Sequence, residues 1–427
     1  MGWDIIKRIW KARDLRNSIL YVIFLLIIFR IAAHIPLPGI DVTLMKDLFQ
    51  NNQLLGFIDL LSGGGLKNFS IAAMGVAPYI TASIIIQLLT MIVPSLEELS
   101  KEGEYGHNKI NLYTKILTVP AAALQAVGLL ALLKTSSQGM MTSLTPIAYV
   151  TALVSLIAGS FFLVWIGDLI TQKNIGNGVS LLIFAGIVAR LPQMLQNTVL
   201  TYEGTGDWLN FVWFALIGIL TIVVVIFITE GQRNIPVNYA RMSYGTRATS
   251  GISTYLPLKV NQAGVIPIIF AISLLSFPPF VAQMFMAAKT PILVSAAQWV
   301  IFFFGNSWVN GIFYFLMVFG FTYFYTAIVF RPEKVAENLQ KQGGFIPGIR
   351  PGTPTANYLE FVSNRVMLGG ALFLGLVAVL PMMVQSMTGV TTIAVGGTSL
   401  LIVVSVVLET VRQINSQMTM RDYDIVK

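Results

Sequence analysis

Residues 56–94 read GFIDLLSGGGLKNFSIAAMGVAPYITASIIIQLLTMIVP. Two helical signals of unequal length stand either side of the glycine run Gly63 to Gly65. The first, Phe57 to Leu61, is apolar but for Asp59, and Ser62 with the three glycines ends it. At about 1.5 Å per residue, even ten residues reach only about 15 Å, half of a hydrocarbon core of about 30 Å. The second, Asn68 to Leu96, carries no charged side chain and is long enough to cross. A half-length helix hinged on a full span is a re-entrant element, which survives only beside a protein-lined cavity. An ordinary extracytoplasmic loop with a short amphipathic turn fits the same letters, and the rest of the chain must decide.

The composition narrows the class. Of 427 residues, 55% are hydrophobic and 11% charged, and the mean hydropathy is +0.75. That is a polytopic membrane protein with little room for a soluble domain. With no cysteine, disulfides, thiol catalysis and cysteine-held metals are excluded. The two histidines, His34 and His107, are too few and too far apart for a metal cluster or a triad. No enzyme activity, metal or cofactor is expected.

Nothing at the start reads as a cleavable signal segment. Residues 1–16 interleave Trp3, Ile5, Ile6, Ile9 and Trp10 with Lys7, Arg8, Lys11, Arg13 and Arg16. That pattern suits a basic amphipathic helix on an anionic membrane surface, or a basic tail serving only as a topology signal.

Nearly charge-free runs mark ten spans, near 17–36, 70–93, 114–133, 146–169, 176–192, 208–229, 262–285, 308–330, 366–386 and 393–411. With the amino terminus inside, 21 of the 27 basic residues fall in inside segments. The other six are Arg30, Lys46, Lys67, Lys134, Arg190 and Lys289. The positive-inside rule therefore predicts that both termini are cytoplasmic. Five spans before the middle and five after permit two halves of inverted topology.

Two inside loops, 230–262 and 331–365, exceed what a connector needs. The first alternates apolar and polar residues through GQRNIPVNYARMSYG and again from Ser250 to Leu258, the pattern of a strand hairpin. The second holds GGFIPGIRPGTPT, where the glycines and Pro347, Pro351 and Pro354 argue against any helix. Arg350 sits at its centre, presented on a rigid turn. A docking surface for a large cytoplasmic partner is expected here. Between Lys289 and Arg331 lie 41 uncharged residues, and Pro291 to Phe304 is expected along the outer interface, with Trp299 and Trp308 at headgroup depth.

By these motifs the chain resembles the SecY/Sec61-alpha family of protein-conducting channels, over essentially its full length. The matching stretches are GVAPYITASIIIQLLT at 75–90, IGNGVSLLIFAGIV at 175–188, LPLKVNQAGVIPIIF at 256–270, GGFIPGIRPG at 343–352 and GGTSLLIVVSVVLE at 396–409. The resemblance implies an all-α integral membrane protein in which two inverted five-helix halves, 17–192 and 208–411, surround an hourglass pore. Residues 1–16 and 412–427 would be cytoplasmic. Phe57, Ile58, Asp59, Leu60, Leu61, Ser62, Gly63, Gly64 and Gly65 fall where the family has its plug helix, which settles the opening ambiguity in favour of the re-entrant element.

Matching residue by residue, the apolar ring at the waist falls on Ile80, Ile84, Ile183, Ile187, Ile269 and Ile402. The pairs at i and i+4 share a helix face, although lipid contact or packing is the ordinary role of an isoleucine in such a helix. Gln87, Gln125 and Ser273 lie in helices that form the family's lateral gate, where they would bond across the gate, bond back to their own helix or line the pore. Arg241 and Arg350 match the family's basic docking positions. The implied partners are SecE and SecG, the SecA motor ATPase, the ribosome with its RNA, signal-bearing preproteins and membrane lipid. No GxxxxGK[ST] phosphate loop occurs, so ATP would be hydrolysed elsewhere. The expected function is passage of unfolded polypeptide across the cell membrane and sideways release of apolar segments. An inverted-repeat secondary transporter is the alternative, but no acidic residue stands in mid-span, where a coupled carrier needs one.

Overall fold

The computed structural model describes residues 10–37, 59, 62–136, 146–205, 208–239, 253–286, 290–388 and 391–425. Residues 1–9, the tip of the 230–262 hairpin with Arg241, and Phe57, Ile58, Leu60 and Leu61 lie outside them. The helices are α1 (Arg13–Ala32), α2 (Ala77–Ile92), α3 (Pro94–Lys101), α4 (Glu104–Ser136), α5 (Pro146–Thr171), α6 (Gly178–Thr205) and α7 (Trp208–Glu230). Strands β1 (Gln232–Tyr239) and β2 (Ser253–Lys259) follow, then α8 (Ile266–Phe285), α9 (Pro291–Gly305), α10 (Ser307–Val329) and α11 (Pro332–Lys341). Strand β3 (Gly344–Phe345), α12 (Thr353–Thr388) and α13 (Thr391–Ile425) complete the chain.

Among the described residues seven helices are long and apolar enough to cross a membrane, eight if the α2–α3 pair is one broken span. With α6 and α7, a helix stands at each of the ten stretches marked by low charge. The first five and last five pack as groups that meet where α8 touches α2 and α4, and where α6 touches α13.

The second stretch is not one helix from Asn68. Residues 62–76 wind in turns, with Phe69 at φ +43 and Gly75 at φ +58, and the helix starts only at Ala77. This irregular backbone is buried: Leu66, Phe69, Ala72 and Ala73 are almost fully covered. Its polar groups find partners, Leu37 N–H donating to Phe69 O at 2.9 Å and Ile71 N–H to Ile35 O at 3.1 Å. A Cβ on Gly159 would stand 1.9 Å from Ile71 O, so only glycine lets α5 cover the turn closely. Non-helical backbone at membrane depth needs such protein cover. At its far end α2 breaks at Pro94, and α3 leaves it at 101°.

The two long inside loops fold together. Strand β1 pairs antiparallel with both β2 and β3, in the order β2-β1-β3, with Ile235 opposite Leu256. The predicted hairpin is present. Alternation along β1 turns Ile235 and Val237 inward, onto Leu258, Leu339, Ile346, Leu359 and Val362. Two corrections follow for the second loop. Helix α11, which the sequence reading omitted, places Ala336 and Leu339 on its buried face. And α12 begins at Thr353, so Pro354 does not oppose a helix; it lies in the first turn, where its missing N–H costs nothing. Helix α9 occupies the predicted interfacial stretch and exposes Ile292, Trp299 and Phe302.

Candidate functional site

Four helices, α2, α6, α8 and α13, carry the six candidate waist residues. Ile80 and Ile84 come from α2, Ile183 and Ile187 from α6, Ile269 from α8 and Ile402 from α13. All six belong to one buried apolar cluster, and none is more than 4% exposed. Ile268 and Ile272 extend the cluster along α8, with Val265 just ahead of it, and Leu401 and Val406 along α13. Helices from both halves therefore contribute to one buried apolar cluster.

Beside it lies the glycine run. Gly63 and Gly64 take φ of +66 and +87, and Gly64 N–H donates to Asp59 O at 2.9 Å, the six-residue closure with which helices end. Ser62 Oγ donates to Asp59 O at 3.0 Å and accepts from Leu66 N–H at 3.1 Å. The turn is wedged between two helices. A Cβ on Gly186 of α6 would lie 2.4 Å from Gly63 Cα, and one on Gly63 would lie 2.7 Å from Phe29 Cζ of α1.

Asp59 is fully buried. Its Oδ1 accepts from Lys67 N–H at 2.9 Å, and Arg190 Nη1 approaches Oδ2 at 2.5 Å as its ionic partner. Arg30 Nη1 donates to Gly63 O at 2.7 Å. The sequence reading noted Arg30 and Arg190 only as charges in spans; nothing in it could pair residue 59 with residue 190.

Of the three polar gate residues, the structure brings two together. Gln125 Nε2 donates across from α4 to Thr81 Oγ1 of α2 at 3.3 Å. Gln125, Thr81 and Ser273 of α8 line one cavity of about 50 Å³ with Ser276 and Phe280. Gln87 stays apart: its Nε2 donates to Ser83 Oγ on its own helix at 3.2 Å. Further toward α3, a groove of about 1280 Å³ opens between α2–α4 and α10–α12. Arg331 crosses it to Ser100 Oγ at 3.4 Å, a contact the sequence reading missed.

On the sheet side, Arg350 is exposed, and its carbonyl accepts from Thr355 Oγ1 at 2.8 Å. Gly348 and Gly352 flank it at φ +82 and +97, the left-handed conformations that let the chain turn sharply on both sides of it without strain.

The sequence model of the SecY family matches residues 70–411. The chain belongs to the SecY family. The SecY relatives match along their whole length: "Protein translocase subunit SecY" of Streptomyces scabiei is 42% identical over 445 residues, covering 98% of each chain. That of Thermus thermophilus is 42% identical over 430 residues, covering 98% of this chain and 97% of the relative. That of Halalkalibacterium halodurans is 43% identical over 427 residues, with 98% of each covered. The SecY fold is also found in solved structures of low identity. A protein conducting channel superposes with a TM-score of 0.65 at 17% identity, covering 93% of this chain and 91% of that one. Sec61 in a canine ribosome-channel complex from the endoplasmic reticulum gives 0.62 at 17% identity, with 93% and 91% covered.

Proposed function

We infer that this chain is the channel subunit of a Sec translocon, passing unfolded secretory polypeptide across the membrane and releasing apolar segments sideways into lipid. The observation that carries the reading is the end-to-end match to SecY translocase subunits at 42% identity. The convergence of the six isoleucines in one buried cluster supports their role as the waist of the pore. Branched apolar side chains around a narrow throat exclude water by dewetting, so ions do not leak through the resting pore. They also form a gasket without fixed hydrogen bonds, which does not trap a chain whose side chains keep changing.

The turn of Asp59 and Ser62 to Gly65 is the described part of the plug. It closes the throat by packing on α1 and α6, and it must leave before a polypeptide enters. The lateral gate runs where α8 meets α2 and α4, with Gln125, Thr81 and Ser273 at the seam and Gln87 outside it. A signal segment opens the seam by burying its apolar face, at about 25 cal/mol per Å².

The three-stranded sheet with α11 is the docking platform for SecA and the ribosome, and Arg350 and Arg241 attract phosphate and acidic side chains there. Two solved neighbours are channels bound to ribosomes, a Sec61 and a yeast Ssh1 complex, which supports the ribosome as a partner. SecE and SecG complete the complex, both termini face the cytoplasm, and ATP is hydrolysed by the motor.

The test is reconstitution. Vesicles holding this chain with SecE and SecG, given SecA and ATP, are expected to protect a signal-bearing preprotein from added protease. The same chain lacking its signal stays accessible. Solute uptake in place of preprotein protection would instead establish the secondary transporter.

A further inference from the structure

The waist, the gate and the platform leave the charges around the plug turn unused. Asp59 is buried, and a carboxylate taken out of water is strongly unfavourable unless a cation and hydrogen bonds compensate it. Here Arg190 faces one oxygen as an ion pair at 2.5 Å and the Lys67 amide donates to the other at 2.9 Å, while the oxygen facing Arg190 accepts no hydrogen bond. The Arg190 side chain, 23% exposed, lies along the plug turn, since a Cβ on Gly64 would meet its Cδ at 3.5 Å. Arg30 of α1 holds the Gly63 carbonyl at 2.7 Å. Arginines from two different helices thus hold the turn, Arg190 of α6 on the Asp59 carboxylate and Arg30 of α1 on the Gly63 carbonyl.

We propose that Asp59 and Arg190, with Arg30 on Gly63, form a charged latch that seats the plug and sets how strong a signal segment must be to open the channel. This rests on the plug reading above. Packing of the turn on α1 and α6 also favours the seated state. A buried ion pair is different. It is satisfied only in the seated geometry, and both partners regain water once the turn leaves. The latch therefore adds to the closed state a term that only a sufficiently apolar signal segment overcomes. Arg190 and Arg30 act through the plug and are positioning residues.

The signature is a coupling between the two charges. In Arg190→Gln the carboxylate stays buried without a cation, so the seated state loses most. In Asp59→Asn the arginines face each other unneutralised. In the double variant Asp59→Asn/Arg190→Gln neither uncompensated charge remains. The whole channel with SecE and SecG is placed in vesicles. Two quantities are read: resting ion leak per channel, and translocation of a preprotein whose signal segment has been shortened by several leucines. Arg190→Gln is expected to raise leak and to rescue the weakened preprotein about tenfold or more. Asp59→Asn should do so less, and the double variant should leak less than Arg190→Gln alone. Arg190→Lys should restore part of the closure.

Single-variant effects that simply add in the double variant overturn the latch. So do leak and signal stringency that match the parent in both single variants. Deletion of residues 57–65 separates this from the plug reading. If the deletion leaks and the charge variants do not, the latch alone is wrong; if the deletion leaves leak unchanged, the plug assignment is wrong.

Discussion

Substituting Gly186 by alanine adds one methyl group at the contact between α6 and the plug turn. That Cβ would stand 2.4 Å from Gly63 Cα and 3.2 Å from Gly63 N. Carbon atoms in contact settle at about 3.5–4.0 Å, so the turn must withdraw by about 1 Å. The Phe29 ring of α1 also stands close to Gly63, which restricts where the turn can move. Overpacking of this kind costs roughly 1–3 kcal/mol, which lowers the ratio of seated to displaced plug by about 5- to 150-fold. Helix α6 itself gains from the change, since alanine is favoured over glycine in a helix interior by about 1 kcal/mol. The effect is therefore confined to closure. In vesicles holding equal amounts of folded channel, resting leak of potassium under an imposed potential should rise by at least fivefold. Gly218→Ala, where a Cβ meets nothing within 4 Å, should leave it unchanged. If Gly186→Ala seals as well as the parent, the packing of the plug turn on α6 does not close the pore.

Other outcomes follow from the same geometry. Arg350→Glu changes an exposed side chain whose backbone is fixed by Thr355, so Tm should hold within about 0.5 kcal/mol of stability while binding to the motor and the ribosome weakens. The remaining ribosome binding should depend less on salt. Leu359→Ala empties the centre of the cluster under the sheet, where Leu359 is fully buried, and should cost about 2–5 kcal/mol. Proteolysis of the 230–262 and 331–365 loops would report it, with ion leak unchanged. Gly178→Ala would bring a Cβ to 1.8 Å from Gly167 O. It should lower the Tm of the whole channel more than Gly186→Ala does, because the clash is with the backbone of a neighbouring helix rather than with a turn that can leave.

What could be read in the sequence follows the range of the forces involved. Spans are written in continuous runs of apolar side chains, and all ten such runs meet a helix. The hairpin of β1 and β2 is written in strict alternation, visible because one face is buried and the other wet. Helix α11 carried its own signal, a proline opening and Ala336 and Leu339 at the spacing of one face. The neighbouring Gly and Pro residues drew the reading away from it. The start of α2 was misread because composition alone does not separate a helix from apolar backbone wound in turns. Only Ser70, Gly75 and the cover supplied by Gly159 mark the difference. Contacts between distant residues had no signal at all. Asp59 with Arg190 and Arg331 with Ser100 depend on how helices pack, and no local pattern encodes that. The six isoleucines came from the family resemblance, since an isoleucine in a membrane helix looks the same facing lipid, core or pore.

The most direct test of the channel uses the absence of cysteine in the sequence. A single cysteine replaces Ile84, and a second is placed in a preprotein stalled part-way by a folded carboxy-terminal domain. Under oxidation a disulfide should form between them only when the signal sequence, the motor and ATP are all present. A cysteine at Ile85, which is 40% exposed on the outer face of α2, should not react with the same preprotein position. A stalled chain that crosslinks at Ile85 and never at Ile84 would place the polypeptide outside the isoleucine cluster and contradict the channel through it.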